Sequence, residues 1–173
     1  MDAERRSEPA VMHNHTTMER TSERELVVTR TLNGPARLVF EAWTRPELFR
    51  QWWVPKSIGM TMVSCEIDAR TGGTYRLVFS HADFPEPMAF FGRYLDVTPH
   101  SRIVWTNDEG GEDGQVTTVT LAEEGDHTRL VMHDLYPSKD ALDTAIASGS
   151  TGGTGEQFEQ LDDVLGTLGT TAR

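Results

Sequence analysis

One cysteine, Cys65, in a chain of 173 residues leaves no partner for an intrachain disulfide. Its place in an apolar, alternating stretch marks it as a buried thiol rather than a reactive one. Cations are also scarce: Lys and Arg total 16 against 27 Asp and Glu, a formal charge of −11. Arg24, Arg30, Arg37, Arg45 and Arg50 are scattered among acids, so no basic patch offsets that total. Nucleic acid and anionic membrane surfaces are therefore not expected as partners. No apolar run is long enough to span a bilayer, and no signal peptide is read ahead of the fold. The expected setting is the cytoplasm, without membrane contact.

Motifs are missing as well. There is no G-x-S-x-G elbow, no phosphate loop and no dinucleotide fingerprint. Gly152-Gly153-Thr154-Gly155 lacks the lysine that a phosphate loop needs. His81, His100, His127 and His133 show no ligand spacing, and His13 and His15 lie in a polar tail. The acidic run Asp108 to Asp113 lacks regular calcium spacing and reads as a solvated hairpin tip. No metal and no cofactor is expected.

What the chain does have is periodicity. Residues 1–22 are polar and aperiodic and are expected to be a disordered extension. A single domain is expected over residues 23–170. Glu25 to Leu32 alternates as a strand. Asn33-Gly34 breaks it, and Pro35 suits a helix start. Leu38, Val39, Ala42 and Trp43 then give a helical stripe as far as Thr44. Thr44 is placed to cap a second helix that begins at Pro46, carries Leu48, Phe49, Trp52 and Trp53, and ends before Pro55. Of Trp52 and Trp53, one is expected in the core and the other half exposed.

From Met60 the period changes to two. Strands are predicted at about 60–68, 74–81, 89–97, 102–107, 116–122 and 128–135, joined by short turns, which implies antiparallel hairpins. Ser138 caps a modest helix over 141–147. Gly149, Gly152, Gly153 and Gly155 form a loose link, expected to be a hinge at 148–155. Phe158, Leu161, Val164, Leu165 and Leu168 then stripe one face of a last helix. The fold class is α+β: a strand, two short helices and six strands in a curved antiparallel sheet wrapped around a long C-terminal helix.

Alternation also assigns the sheet's inner face. Tyr75, Leu77, Phe79 and His81 share it on one strand; Phe90, Gly92 and Tyr94 do on the next. Ile103, Trp105 and Asn107 follow, and Leu130, Met132 and Asp134 close the set. The result is an aromatic surface with a few polar groups near its ends. It fits a small-molecule pocket and, equally, an ordinary core in which the tyrosines find backbone partners. His81 with Asp134 is the candidate acid–base pair. His133 should face the opposite side.

Several stretches resemble a known family. They are Asn33-Gly34-Pro35-Ala36-Arg37-Leu38-Val39-Phe40-Glu41-Ala42-Trp43, Arg50-Gln51-Trp52-Trp53-Val54-Pro55, Asp68-Ala69-Arg70-Thr71-Gly72-Gly73-Thr74-Tyr75, Gly92-Arg93-Tyr94-Leu95-Asp96-Val97, Arg102-Ile103-Val104-Trp105-Thr106 and Thr128-Arg129-Leu130-Val131-Met132. The chain resembles the START-like, or helix-grip (SRPBCC), superfamily over residues 24–168. Within it, the resemblance is to the branch named for the activator of the heat-shock chaperone ATPase.

The resemblance implies a real cavity between sheet and last helix, holding a small hydrophobic or aromatic ligand. Its expected lining is Tyr75, Leu77, Phe79, His81, Phe90, Tyr94, Trp105, Asn107, Met132 and Asp134 from the sheet and Phe158 from the helix. Two alternatives stand beside ligand binding. One is a cyclase, dehydratase or hydrolase working in the same cavity through His81, Asp134 or a tyrosine. The other is an interaction domain acting on a chaperone ATPase. A homodimer is left open.

Overall fold

The computed structural model describes residues 16–108, 114–148 and 153–171. Its elements are β1 (Thr17–Arg20), β2 (Glu25–Leu32), α1 (Ala36–Thr44), α2 (Pro46–Phe49), β3 (Thr61–Ile67), β4 (Thr74–Ser80), β5 (Met88–Thr98), β6 (Arg102–Thr106), β7 (Val116–Glu124), β8 (His127–Leu135), α3 (Lys139–Ala147) and α4 (Thr154–Thr171). A short 3-10 turn spans Lys56–Ile58. The eight strands form one antiparallel sheet in the order β1-β2-β8-β7-β6-β5-β4-β3. Consecutive hairpins run from β3 to β8, as their short connections require, and β2 joins β8 to close the long side.

The sheet curls around α4. Register shifts between Met62 and Ser64, and between Tyr94 and Asp96, add the local bends that a wrapped sheet needs. The helical stripe packs into the concave face: Phe158, Leu161, Val164 and Leu165 are all buried. Leu168 is partly buried at the far end. An ion pair fixes the same helix to β2. Arg30 Nη2 meets Asp162 Oδ2 at 2.7 Å, and Asn33 N donates to Asp162 Oδ1 at 2.8 Å. Both partners are largely removed from water, where a close pair is screened far less than at the surface.

Three expectations need correction. First, Thr17–Arg20 is not an unstructured tail: it pairs antiparallel with Thr29 to Leu26 of β2 and supplies an eighth strand. All four of its side chains are exposed, so no burial alternation marks it. The remaining tail expectation, with His13 and His15, lies outside the described residues. Second, Thr44 does not cap α2. Its hydroxyl donates back to the Phe40 carbonyl, ending α1, Arg45 occupies the cap position, and α2 stops at Phe49, short of the Trp52 and Trp53 it was expected to carry. Third, Cys65 is half-buried rather than buried. Burial still holds its thiol above the ordinary range, which keeps it protonated.

Part of the expected hinge, 149–152, lies outside the described residues, as does 109–113 of the acidic hairpin tip. Of the described part of the hinge, Ser148 is exposed and a Cβ at Gly155 would meet open space, while Thr154 and Gly153 are packed. Thr154 is buried in the first turn of α4, and a Cβ at Gly153 would approach Pro55 Cγ to 3.0 Å. Ser138 caps α3, accepting from Ala141 N at 3.1 Å. Leu142 of α3 joins Leu26 and Tyr136 in a small second core at the sheet's end.

Candidate functional site

Between sheet and α4 lies a cavity of about 460 Å³, inside the size range of small-molecule sites. Its walls are mostly apolar. The sheet gives Leu77 and Phe79 from β4, Phe90 from β5, Ile103 and Trp105 from β6, and Met132 from β8. The helical layer gives Trp43 and Phe49. A third wall comes from the loop after α2, through Trp53, Pro55, Ile58 and Met60.

The aromatic walls are packed against one another. Trp43 sits 5.5 Å from Trp105 and 5.8 Å from Trp53, ring centre to ring centre. Trp53 stacks on Phe49 at 4.8 Å. Trp52, fully buried, donates its indole N–H to the Ala42 carbonyl at 2.9 Å and stays in the core. So one tryptophan of the Trp52-Trp53 pair fills the interior and the other is half-buried at the cavity.

The loop wall is held from two sides. α4 holds it through Gln157, which donates to the Trp53 carbonyl, and Gln160, which donates to the carbonyls of Trp52 and Val54 at 3.0 and 2.9 Å. Gln160 also accepts from Lys56 N at 2.9 Å. From the sheet, His81 Nε2 meets the Ile58 carbonyl at 2.9 Å while its Nδ1 accepts from Asp83 N. With Nδ1 accepting from a backbone N–H, Nε2 is the nitrogen that donates to the carbonyl. Gly59, at φ 71°, makes the left-handed turn that brings the carbonyl within reach.

A polar group closes one end. Thr117 of β7 and Asp134 of β8 are direct register partners, and Thr117 Oγ1 donates to Asp134 Oδ1 at 2.6 Å. Asn107 Nδ2 donates to the Gln115 carbonyl at 3.2 Å and lies 3.5 Å from Thr117 Oγ1. Tyr75 crosses from β4 over Gly92 and donates to the Thr106 carbonyl at 2.8 Å. Gly92 must be glycine for this: a Cβ there would stand 1.9 Å from the Thr106 oxygen and 2.9 Å from the Tyr75 ring. Burial raises the Asp134 carboxyl above its ordinary range, against the lowering hydrogen bonds from Thr117 and Gln115. The Tyr136 phenol is pushed up to about 12, by burial first and then by Asp134. Burial pushes the Tyr94 phenol up too.

Of the residues expected to line a pocket, Tyr75, Leu77, Phe79, Phe90, Tyr94, Trp105, Asn107, Met132 and Asp134 border this cavity. Two do not. Phe158 is spent in the core, 6.4 Å from Trp43 and 6.3 Å from Trp52, because its turn of α4 meets the helical layer rather than the open space. His81 sits at the end of β4, bound to the turn behind the loop wall. Four strand spacings separate β4 from β8, on the order of 19 Å along the sheet. His81 and Asp134 are therefore not assembled as an acid–base pair. His133 faces away, 2.8 Å from Glu25 Oε2, and is the first cause of that carboxyl's lowered value. Gln115, Thr117 and Tyr136 were missed by sequence reasoning. Thr117 alternates inward with Val119, and that pattern was available to find it.

Among the described residues no group of three or more His, Cys, Asp or Glu side chains is placed to hold a metal ion. No helix among them is long and apolar enough to cross a membrane.

Residues 33–166 match the family model described as "Activator of Hsp90 ATPase homolog 1-like protein". The chain belongs to this family. No curated protein matches it in sequence. Solved structures with the same fold include a Rhodobacter sphaeroides protein, 22% identical, with a TM-score of 0.80 over 89% of this chain and 99% of that one. A Nitrosomonas europaea protein is 24% identical, with a TM-score of 0.77 over 86% and 98%. An AHSA1-like protein from Aeromonas hydrophila is 15% identical, with a TM-score of 0.61 over 80% and 94%. At these identities the likeness is one of fold. The START-like, helix-grip architecture expected from the sequence is the one found.

Proposed function

We propose that this AHSA1-like protein binds a small hydrophobic or aromatic molecule between its curved sheet and α4. The observation that carries the reading is the combination in one cavity of aromatic and aliphatic walls with a polar cluster at Asp134, Thr117, Asn107 and Gln115. Apolar walls supply affinity by burial, and a few placed polar groups fix orientation. Asp134 supports the reading in a second way. A buried carboxyl held above its ordinary range lowers stability, and such groups collect where function requires them.

Binding ranks ahead of an enzyme in the same cavity because His81, one of the acid–base candidates beside Asp134 and the tyrosines, is engaged outside it, and no His81–Asp134 pair is assembled. It also ranks ahead of a chaperone-docking surface. Phe91 and Leu95 are exposed on the outer face of β5, but Arg93 stands between them and Arg76 lies opposite Phe91. That surface is broken by charge rather than continuous. We place the protein in the cytoplasm, in keeping with its one half-buried thiol.

Native mass spectrometry of protein purified from its own host tests the reading. A co-purifying small molecule, released when Trp105 is replaced by Ala, is the expected result. Unloaded protein that also fails to take up neutral aromatic probes such as indole would overturn it.

A further inference from the structure

The cavity is unbalanced in charge. Among the described residues that border it, Asp134 is the one carboxylate, and no Lys, Arg or His borders it. The nearest histidine in sequence, His133, points to the opposite face and is paired with Glu25. The groups that do face Asp134 are neutral: the Thr117 hydroxyl at 2.6 Å, the Gln115 side chain and, further off, the Tyr136 phenol. The same cavity is bordered by the aromatic rings of Trp43, Phe49, Trp53 and Trp105. A carboxylate buried without a cation is costly, and one further positive group removes that cost.

We infer that the ligand is an amine: a molecule with an apolar, aromatic-sized body whose protonated nitrogen meets Asp134 at the polar end of the cavity. This inference rests on the binding function proposed above and names its ligand class. Three features favour a cation over a neutral or anionic head group. Asp134 supplies the countercharge, and its two carboxylate oxygens have more lone pairs than Thr117 and Gln115 fill. Aromatic rings attract a cation through their faces, and the described lining is rich in them. The whole chain carries −11, so its field draws cations and repels anions. A carboxylate ligand would meet Asp134 with no lysine or arginine to receive it, and is excluded on the same grounds. The recognition is non-covalent: an ammonium enters, and the Asp134 carboxyl releases to solvent any proton it carried.

Tryptamine, tryptophol and indole-3-propionate separate the possibilities. They share the indole body and differ in bearing an ammonium, a hydroxyl or a carboxylate. Calorimetric titration of the full chain at neutral pH is expected to rank tryptamine at least about tenfold tighter than tryptophol, the gap that one charge-assisted hydrogen bond supplies. Indole-3-propionate should bind weakest. In Asp134→Asn the tryptamine advantage over tryptophol should collapse to within about threefold. Thermal melts confirm that the variant is folded, and the wild-type ranking stands independently of it. If tryptophol binds as well as tryptamine, or tryptamine keeps its lead in Asp134→Asn, the amine inference fails and the cavity reading survives. If none of the three binds, and indole does not either, both fail together.

Discussion

Thr117 and Asp134 stand side by side on neighbouring strands, the hydroxyl donating to the carboxylate at 2.6 Å on a buried face. Hydrogen bonds from Thr117 and Gln115 do not repay the burial of a charge, so burial raises the carboxyl above its ordinary value. Between the unfolded carboxyl value and the raised folded one, the native state binds more protons than the unfolded chain. Stability therefore falls as pH rises through that window and is fully present only below it. The Tyr136 phenol, pushed up to about 12, does not titrate there, and His133 is turned to the other face. Asp134→Asn keeps the volume and removes the charge. It should melt higher than wild type at pH 7 and lose part of the wild-type gain on mild acidification. A lower melting point at pH 7, with the acid dependence unchanged, would show that the carboxylate is not under strain.

Trp105 is buried on β6 and touches both the cavity and Trp43. Replacing it with Ala removes the packing that joins sheet to helical layer. The expected cost is ~3–5 kcal/mol, as for other large aromatic truncations. Denaturant titration measures it. A loss below about 1 kcal/mol would mean that the neighbouring walls close the gap.

Gly92 tests the crossing of Tyr75 over β5. Gly92→Ala would force a Cβ against a backbone oxygen, which cannot swing aside. The variant should be severely destabilised or unfolded. Tyr75→Phe, which removes the hydroxyl's bonds to the Thr106 carbonyl and to Asn107 Oδ1, should cost about 1–2 kcal/mol. Equal costs for the two, in paired thermal melts, would contradict this geometry.

β1 contributes main-chain pairing to β2, and Thr16 accepts from Arg30 Nη1 at 2.7 Å. A chain starting at residue 23 should therefore be less stable than one starting at residue 16, on the order of 1–2 kcal/mol. Matching melting temperatures would make the added strand energetically neutral.

The fold was legible where burial imposes a period. Met132 and Asp134 point inward and His133 outward because the β8 alternation is unbroken, and the α4 stripe is buried as read. β1 was not legible, since an exposed strand paired only through its backbone leaves no pattern in its side chains. The site was readable as a face but not as a void. Phe158 and Met132 are equally apolar, and only the curvature of the sheet decides which meets the core and which meets open space. His81 shows the same limit. A polar residue at a strand end carries no mark of whether it faces a cavity or braces the turn behind it.

The methionines offer the most direct test of ligand binding in this cavity. Met60 and Met132 border it, Met62 is buried outside its lining, and Met18 lies exposed on β1. With ¹³C-methyl methionine, titration with indole should shift the Met60 and Met132 methyl resonances together, saturably, and leave Met18 unmoved. Shifts confined to Met18, or no saturable shift at Met60 and Met132, would contradict a ligand site between the sheet and α4.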